Sequence, residues 1–254
     1  MRINNTLFIG KVFIHLPEVP STNVYAQQLL SKSLPIEGTV ISTSNQTQGR
    51  GQIGSKWESQ TNKNITLSVI LYPSFLLPKE QFFLNQISSL AVTDLLAKYI
   101  ENDIKVKWPN DIYIKDRKTS GILVQNTLSS HKIQSTIIGI GLNVNQESFS
   151  PDLKRATSLS IENKGTFELP KLTEELCQTL EQRYLQLKQG KKTLLQEAYL
   201  NRLYRFGEQH LFYKPDGTAF QGIIRGIDPI GKLLIEHNGQ IESFQIKEIA
   251  FHDQ

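Results

Sequence analysis

Twelve residues, Gln46-Thr47-Gln48-Gly49-Arg50-Gly51-Gln52-Ile53-Gly54-Ser55-Lys56-Trp57, combine three glycines with two cations and an indole. Glycine lets backbone N–H groups come close to an anion. Arg50 and Lys56 can donate charge-assisted hydrogen bonds to phosphate or carboxylate oxygens, and the face of Trp57 can carry a purine. Such a loop suits closure over a phosphorylated ligand, although Gly-Arg-Gly also occurs in surface turns and nucleic-acid-binding tails. A second segment, Lys107-Trp108-Pro109-Asn110-Asp111, sets an amide and a carboxylate on a proline-stiffened turn. Asn110 and Asp111 either close an Asx-turn or serve substrate phosphates, with Asp111 among the one or two carboxylates that Mg²⁺ usually takes. Lys118, read as a loop residue before Ser120-Gly121, is a solvated charge unless it lies near a reacting carboxylate and phosphate. There it would neutralise the charge that builds up in phosphoryl or adenylyl transfer. Gly139-Ile140-Gly141-Leu142-Asn143 ends an apolar strand. Its small residues either admit a ligand to the backbone or mark a bulge, and Asn143 can donate to and accept from an adenine edge. Ser21-Thr22-Asn23 either caps a helix or offers hydroxyl and amide groups to a small polar ring, whose unpaired burial would be costly.

These groups need a scaffold, and the apolar pattern supplies one. Alternation predicts strands at 7–15, 38–44 and 64–72, with Pro17 and Pro20 punctuating the approach to a short helix at 24–30. Phe83, Ile87, Leu90, Ala91, Leu95 and Tyr99 place an apolar face on a helix over 80–100, its other face polar. Short strands follow at 104–108, 111–114, 122–125 and 132–144, joined by the turn residues Pro109-Asn110 and Ser120-Gly121. Helices at 172–187 and 193–203 precede a change of pattern at Gly207. Beyond it come hairpins with turns at Pro215-Asp216-Gly217, Asp228-Pro229-Ile230-Gly231 and Asn238-Gly239. The fold class is α+β: a mixed sheet with helices over 1–206 and a compact all-β unit over 207–254.

A chain of 254 residues can bury a substantial core. Its single cysteine, Cys177, excludes an internal disulfide framework, argues against a metal cluster and fits a reducing compartment. No run approaches the roughly 18 apolar residues of a membrane span, and Gly10-Lys11 splits the apolar N-terminus with no cleavage pattern after it. A soluble cytoplasmic protein, without membrane or nucleic-acid partners, is expected. The dispersed net charge of +4 slightly favours an acidic protein partner. An exposed sheet edge could pair two copies into a homodimer.

Five segments stand in an order that resembles the biotin–protein ligases: Ser-Thr-Asn at 21–23, Gln46 with Gly-Arg-Gly and Trp57, Lys-Trp-Pro-Asn-Asp at 107–111, Arg-Lys at 117–118 before Gly-Ile-Leu, and Gly-Ile-Gly-Leu-Asn at 139–143. The resemblance runs from Ser21 to about Asn145 and continues more loosely through the C-terminal β unit. It implies a catalytic domain like that of class II aminoacyl-tRNA synthetases, followed by a small SH3-like barrel. ATP and biotin would be the substrates, with Mg²⁺, and biotinyl-5′-AMP the intermediate from which a lysine of a biotin carboxyl carrier domain takes biotin. By resemblance Ser21, Thr22 and Asn23 line the pocket for the ureido ring, with Gln46 and Arg50 near the ligand and its activated carboxylate. Gly49 and Gly51 let the loop fold over the acyl-adenylate. Lys118 sits between carboxylate and α-phosphate, and Gly121 permits close approach. Trp57 packs on the adenine side, with Gly139, Gly141 and Asn143 at the nucleotide, and Asn110 and Asp111 serve phosphates and metal.

Two departures from the family pattern bear on function. Many bacterial members carry an N-terminal helix-turn-helix domain, whereas here the catalytic pattern begins within about twenty residues, so a monofunctional enzyme is expected. Gln52 stands where the commoner pattern has a second arginine, and glutamine brings neither charge nor a bidentate fork. An intermediate released more readily is the expected consequence. A lipoate–protein ligase is the alternative enzyme, against which Lys-Trp-Pro-Asn-Asp argues. A biotin-responsive regulator without transfer activity is the alternative of another class.

Overall fold

Two sheets organise the computed structural model, which describes residues 3–52, 54–101 and 103–252; Ile53 of the glycine-rich loop lies outside them. Strand β1 (Phe13–Val19) leads through helix α1 (Thr22–Lys32) to β2 (Val40–Gln46), which lies parallel to it, and β3 (Ile65–Leu71) pairs antiparallel with β2. A single 3₁₀ turn, Pro78–Glu80, opens into α2 (Phe82–Leu96). Strands β4 (Ile104–Lys107), β5 (Asp111–Ile114), β6 (Arg117–Leu128) and β7 (Ile133–Leu142) then run antiparallel. Strand β7 inserts beside β3, giving the order β1-β2-β3-β7-β6-β5-β4. Helices α3 (Leu159–Asn163), α4 (Leu169–Lys188) and α5 (Lys192–Asn201) follow. Strands β8 (Gln209–Tyr213), β9 (Ala219–Ile227), β10 (Leu233–His237), β11 (Gln240–Phe244) and β12 (Ala250–Phe251) form a second, antiparallel sheet in the order β11-β10-β9-β8-β12. This α+β arrangement is the expected class, and the second sheet is consistent with an SH3-like unit. No helix among the described residues is long and apolar enough to cross a membrane.

The first strand begins at Phe13 rather than Leu7, and the reason is a buried acid. The backbone N–H groups of Leu7, Phe8 and Ile9 donate to the Glu181 carboxylate of α4 at 2.6, 2.8 and 2.8 Å, so they have no strand to pair with. Glu181 is only 5% exposed, and three N–H donors replace the water that burial removes. One turn earlier, burial pushes the Cys177 thiol up to about 12, with Glu181 and Glu174 adding to the shift, so it packs as a neutral group. Glu181→Ala should cost roughly 3 kcal/mol and lower Tm by about 6–12 °C for a chain of this size. Glu181→Gln, which keeps an acceptor, should lose less. Thermal unfolding reads both, and a drop under about 2 °C for the alanine variant would show that the nest is dispensable.

Three other expectations change. Pro17 lies inside β1 rather than before a break, which an edge strand tolerates because one row of its backbone groups needs no partner. Helix α2 has no polar outer face, since α4 and α5 pack on it and Gln86, Ser88, Ser89 and Thr93 are buried with the apolar residues. Ser88 and Thr93 donate to the carbonyls of Leu84 and Leu90, which makes their burial affordable. Ser120-Gly121 is no turn, and Lys118 is no loop residue. The hairpin reverses at Lys115-Asp116, with Lys115 at φ 57°, and β6 already carries Lys118 and Gly121.

Candidate active site

A cleft of about 360 Å³ opens where β6 and β7 meet the start of α1, the glycine-rich loop, the 107–111 turn and the end of the second sheet. Arg50, Lys56, Lys107, Lys118 and Lys247 border it, and Asp111 is the one carboxylate among its described lining residues. Such a balance attracts a polyanion.

The floor is a pair of glycines. Gly121 of β6 faces Gly141 of β7, and the Trp57 indole lies on both: a Cβ at Gly141 would fall 2.3 Å from Trp57 Cε2, and one at Gly121 would fall 3.1 Å from Cζ3. The register through Gly139 and Gly141 is regular, so no bulge accounts for them. The loop that carries the indole is a small hairpin. Arg50 bridges Lys56, Gly51 N donates to Ser55 O at 3.0 Å, and Trp57 N donates to Gly49 O at 3.1 Å.

The 107–111 turn holds the loop and is itself held. Gln52 Nε2 donates to Asn110 Oδ1 at 3.0 Å, and Asn110 Nδ2 donates to Ile122 O rather than closing an Asx-turn. Tyr199 of α5, fully buried, donates to Pro109 O at 2.9 Å, and Trp108 Nε1 reaches Gly231 O of the second sheet unit at 2.9 Å. The peptide between Trp108 and Pro109 is cis. Asp111 and Lys118 form an ion pair at 2.7 Å inside the cleft.

At the opposite end, Ser21 is the N-cap residue of α1 but makes no side-chain cap bond. Thr22 N donates to Gln46 Oε1 at 2.9 Å. Asn23 Nδ2 donates to Gln125 Oε1 at 2.8 Å, and its amide lies against Gly139. Thr22, Asn23 and Gln46 are thus fixed by hydrogen bonds where they line the cleft, with Ser21 beside them.

Residues 16–143, which hold every motif from Ser21 to Asn143, match the model of the Biotin/lipoate A/B protein ligase family. The chain belongs to this family. It is 32% identical over 247 residues to the bifunctional ligase/repressor BirA of Bacillus spizizenii, covering 96% of this chain and 75% of that one. The biotin–[acetyl-CoA-carboxylase] ligase of Mycobacterium tuberculosis is 29% identical over 225 residues, 87% of this chain and 81% of that one. Among solved structures, the Aquifex aeolicus biotin protein ligase in complex with biotin and ATP superposes with a TM-score of 0.79 at 26% identity, covering 96% of this chain and 100% of that chain. The Leishmania major biotin protein ligase in complex with biotinyl-5-AMP shares the fold, with a TM-score of 0.63 at 19% identity. The present chain is accordingly an enzyme, a ligase.

Within this ligase the structure gathers Ser21, Thr22, Asn23, Gln46, Arg50, Gly51, Gln52, Trp57, Asn110, Asp111, Lys118, Gly121, Gly139 and Gly141 around one cleft. Two expected residues stand outside its lining. Gly49 closes the base of the loop hairpin, where a Cβ would fall 2.0 Å from Trp57 O. Asn143, the residue after β7, donates through Nδ2 to Thr157 O at 3.0 Å, and its buried Oδ1 has no partner among the described residues. The sequence reading also missed residues. Ile246, Lys247, Ile249, Ala250 and Phe251 of the second sheet unit wall the cleft, and Lys107 Nζ sits 5.0 Å from the Phe251 ring centre and 5.2 Å from that of Tyr113. Nothing local in a C-terminal hairpin announces such a contact. Ser68 of β3, which hydrogen-bonds Thr22 and Asn23, was missed too, although a serine in the middle of a strand whose seven residues are all buried calls for a polar partner.

Proposed function

We propose that this ligase attaches biotin to a specific lysine of a biotin carboxyl carrier domain, with ATP as the energy source. The observation that carries this is a single cleft with a neutral, hydrogen-bonding ring end at Ser21–Asn23 and Gln46, a cationic border, and a flat indole on a glycine floor. A biotin carboxylate oxygen attacks the α-phosphorus of MgATP, the bond to the bridging oxygen breaks and pyrophosphate leaves. The carrier lysine amine then attacks the acyl carbon of biotinyl-5′-AMP and AMP departs. Holding the two reactants in one cleft removes most of the entropic barrier, and Lys118, drawn from Asp111, neutralises charge on the α-phosphate as it develops. Asp111, the one carboxylate among the described lining residues, would hold Mg²⁺ brought in with ATP, and the ion would supply neutralisation of charge on the phosphates.

We take residues 207–254 as a second domain that walls the nucleotide side of the cleft, and an acidic carrier as the partner that the basic border favours. Incubation with ATP, biotin and an apo-carrier domain, followed by a streptavidin blot, should show ATP-dependent labelling; no labelling would refute the assignment. Pyrophosphate exchange supported by lipoate and not by biotin would redirect it to the lipoate branch.

Gln52 sets how long the intermediate is held. Its link to Asn110 is a neutral hydrogen bond, whereas an arginine would add a charged one worth roughly 1.5–3 kcal/mol. Gln52→Arg should therefore slow dissociation of biotinyl-5′-AMP by about 10- to 150-fold. Equal dissociation rates for the two proteins would discount the residue.

A further inference from the structure

Ser68 of β3 is fully buried, and its hydroxyl joins two residues of the ring subsite. Ser68 Oγ lies 2.6 Å from Asn23 Oδ1 and 2.7 Å from Thr22 Oγ1. The direction of each bond follows from what each atom can do. Asn23 Nδ2 faces Gln125 Oε1 at 2.8 Å and the Leu123 carbonyl oxygen at 3.4 Å. A carbonyl only accepts, so the amide nitrogen belongs on that side and the oxygen faces Ser68. An amide oxygen carries no proton, so the single Ser68 proton goes to Asn23. The Thr22–Ser68 bond, at 2.7 Å, then takes the Thr22 proton in preference to Gln46 Oε1, the other acceptor near that hydroxyl at 3.4 Å, and Thr22 Oγ1 is left with lone pairs toward the cleft. Gln46 is set in the opposite sense: its Oε1 accepts from Thr22 N–H, which leaves Nε2 as a donor.

We propose that Ser68 is a positioning residue that fixes the Thr22 hydroxyl as an acceptor toward the cleft, so that the subsite demands an N–H from the ring at that point. This rests on biotin being the ligand. A cyclic urea, which presents N–H donors beside a carbonyl acceptor, matches an acceptor at Thr22 and a donor at Gln46. A ring with oxygen in place of that N–H sets lone pairs against lone pairs, and a site built to hydrogen-bond a ligand N–H rejects such an analogue strongly. Without Ser68 the Thr22 hydroxyl can turn and donate, and the demand lapses.

The test compares biotin with its cyclic-carbamate analogues, in which one or the other ureido N–H is replaced by oxygen, on the full chain by calorimetry and pyrophosphate exchange. Wild type should bind biotin and discriminate against the analogue altered on the Thr22 side; failure to bind biotin would overturn the functional assignment itself. Ser68→Ala should shrink that discrimination by about tenfold or more, with KM for biotin raised and kcat at saturating biotin within about threefold. Ser68→Thr, which keeps the hydroxyl, should retain the discrimination. A Ser68→Ala protein that weakens biotin and analogue equally, or neither, would overturn the proposal, because a purely structural role moves both together. Thr22→Val reads the same bond from its other end and removes the acceptor outright. It should abolish the discrimination, and adding Ser68→Ala to it should change the ratio no further. Persistence of discrimination in Thr22→Val overturns the proposal even if Ser68→Ala does not fold.

Discussion

Lys118→Ala should lower biotin-dependent ATP–pyrophosphate exchange by about 10²- to 10³-fold, the usual loss when one preorganised group facing a developing charge is removed, while biotin binding changes by no more than about threefold. The asymmetry follows from where the lysine sits. Its backbone is clamped, since Lys118 N donates to Arg155 O at 2.7 Å and Lys118 O accepts from Thr157 N at 2.9 Å, so the side chain projects from a rigid strand. Its ammonium is paired with Asp111 at 2.7 Å and takes no part in the hydrogen bonds of Thr22, Asn23 and Gln46 that would hold the ring. Both partners of that pair are about one-third exposed, so their separation costs little stability and the effect belongs to chemistry rather than folding. Lys118→Arg keeps the charge in a wider, planar head and should recover part of the rate. Exchange at wild-type speed in the alanine variant, or a loss of biotin binding as large as the loss of rate, would remove Lys118 from the reaction.

How legible the site was depended on whether the signal was local. The glycine loop, the Lys107–Asp111 turn and Gly139–Gly141 each carry their chemistry in consecutive residues, and the structure brings them to one cleft. What the sequence hid was the other half of long-range pairs. Residues 7–9 read as a strand because alternation cannot show that Glu181, far along the chain, takes their N–H groups. Lys118 and Gly121 read as loop residues because serine and glycine usually turn a chain. In fact Gly121 is a strand glycine, required where an indole lies on the sheet. Asn143 reads as a ligand contact because it is polar and stands at a strand end; its Nδ2 is taken by Thr157 O, a partner the sequence does not announce, while its buried Oδ1 finds none among the described residues. The second sheet was visible as hairpins, but the packing of Phe251 against Lys107 was not, because a cation–aromatic contact between distant segments leaves no pattern in either.

The glycine floor leads to the second large effect. Gly141→Val should raise the KM for ATP by about 100-fold, on the scale of an ångström-sized misplacement near the chemistry, with biotin affinity changed far less. Valine is at home in a strand, and Gly141 already sits in the ladder between Thr66 and Gly121, so β7 itself should persist. The damage falls on the indole, because a Cβ at this position lies 2.3 Å from Trp57 Cε2 and 2.6 Å from Nε1. The indole must leave the floor, and it does so at the base of the loop hairpin that carries Arg50 and Gln52, which Trp57 N–H closes onto Gly49 O. Its face is then lost as a platform for a purine. Trp57→Ala in the same chain removes the colliding ring, so the double variant should show a weaker ATP defect than Gly141→Val alone. ATP-dependent exchange rates with biotin saturating, beside calorimetric titration of biotin, separate the two ends of the cleft. An unchanged KM for ATP in Gly141→Val would mean that the indole yields without consequence, and the floor would lose its assigned part in holding the nucleotide.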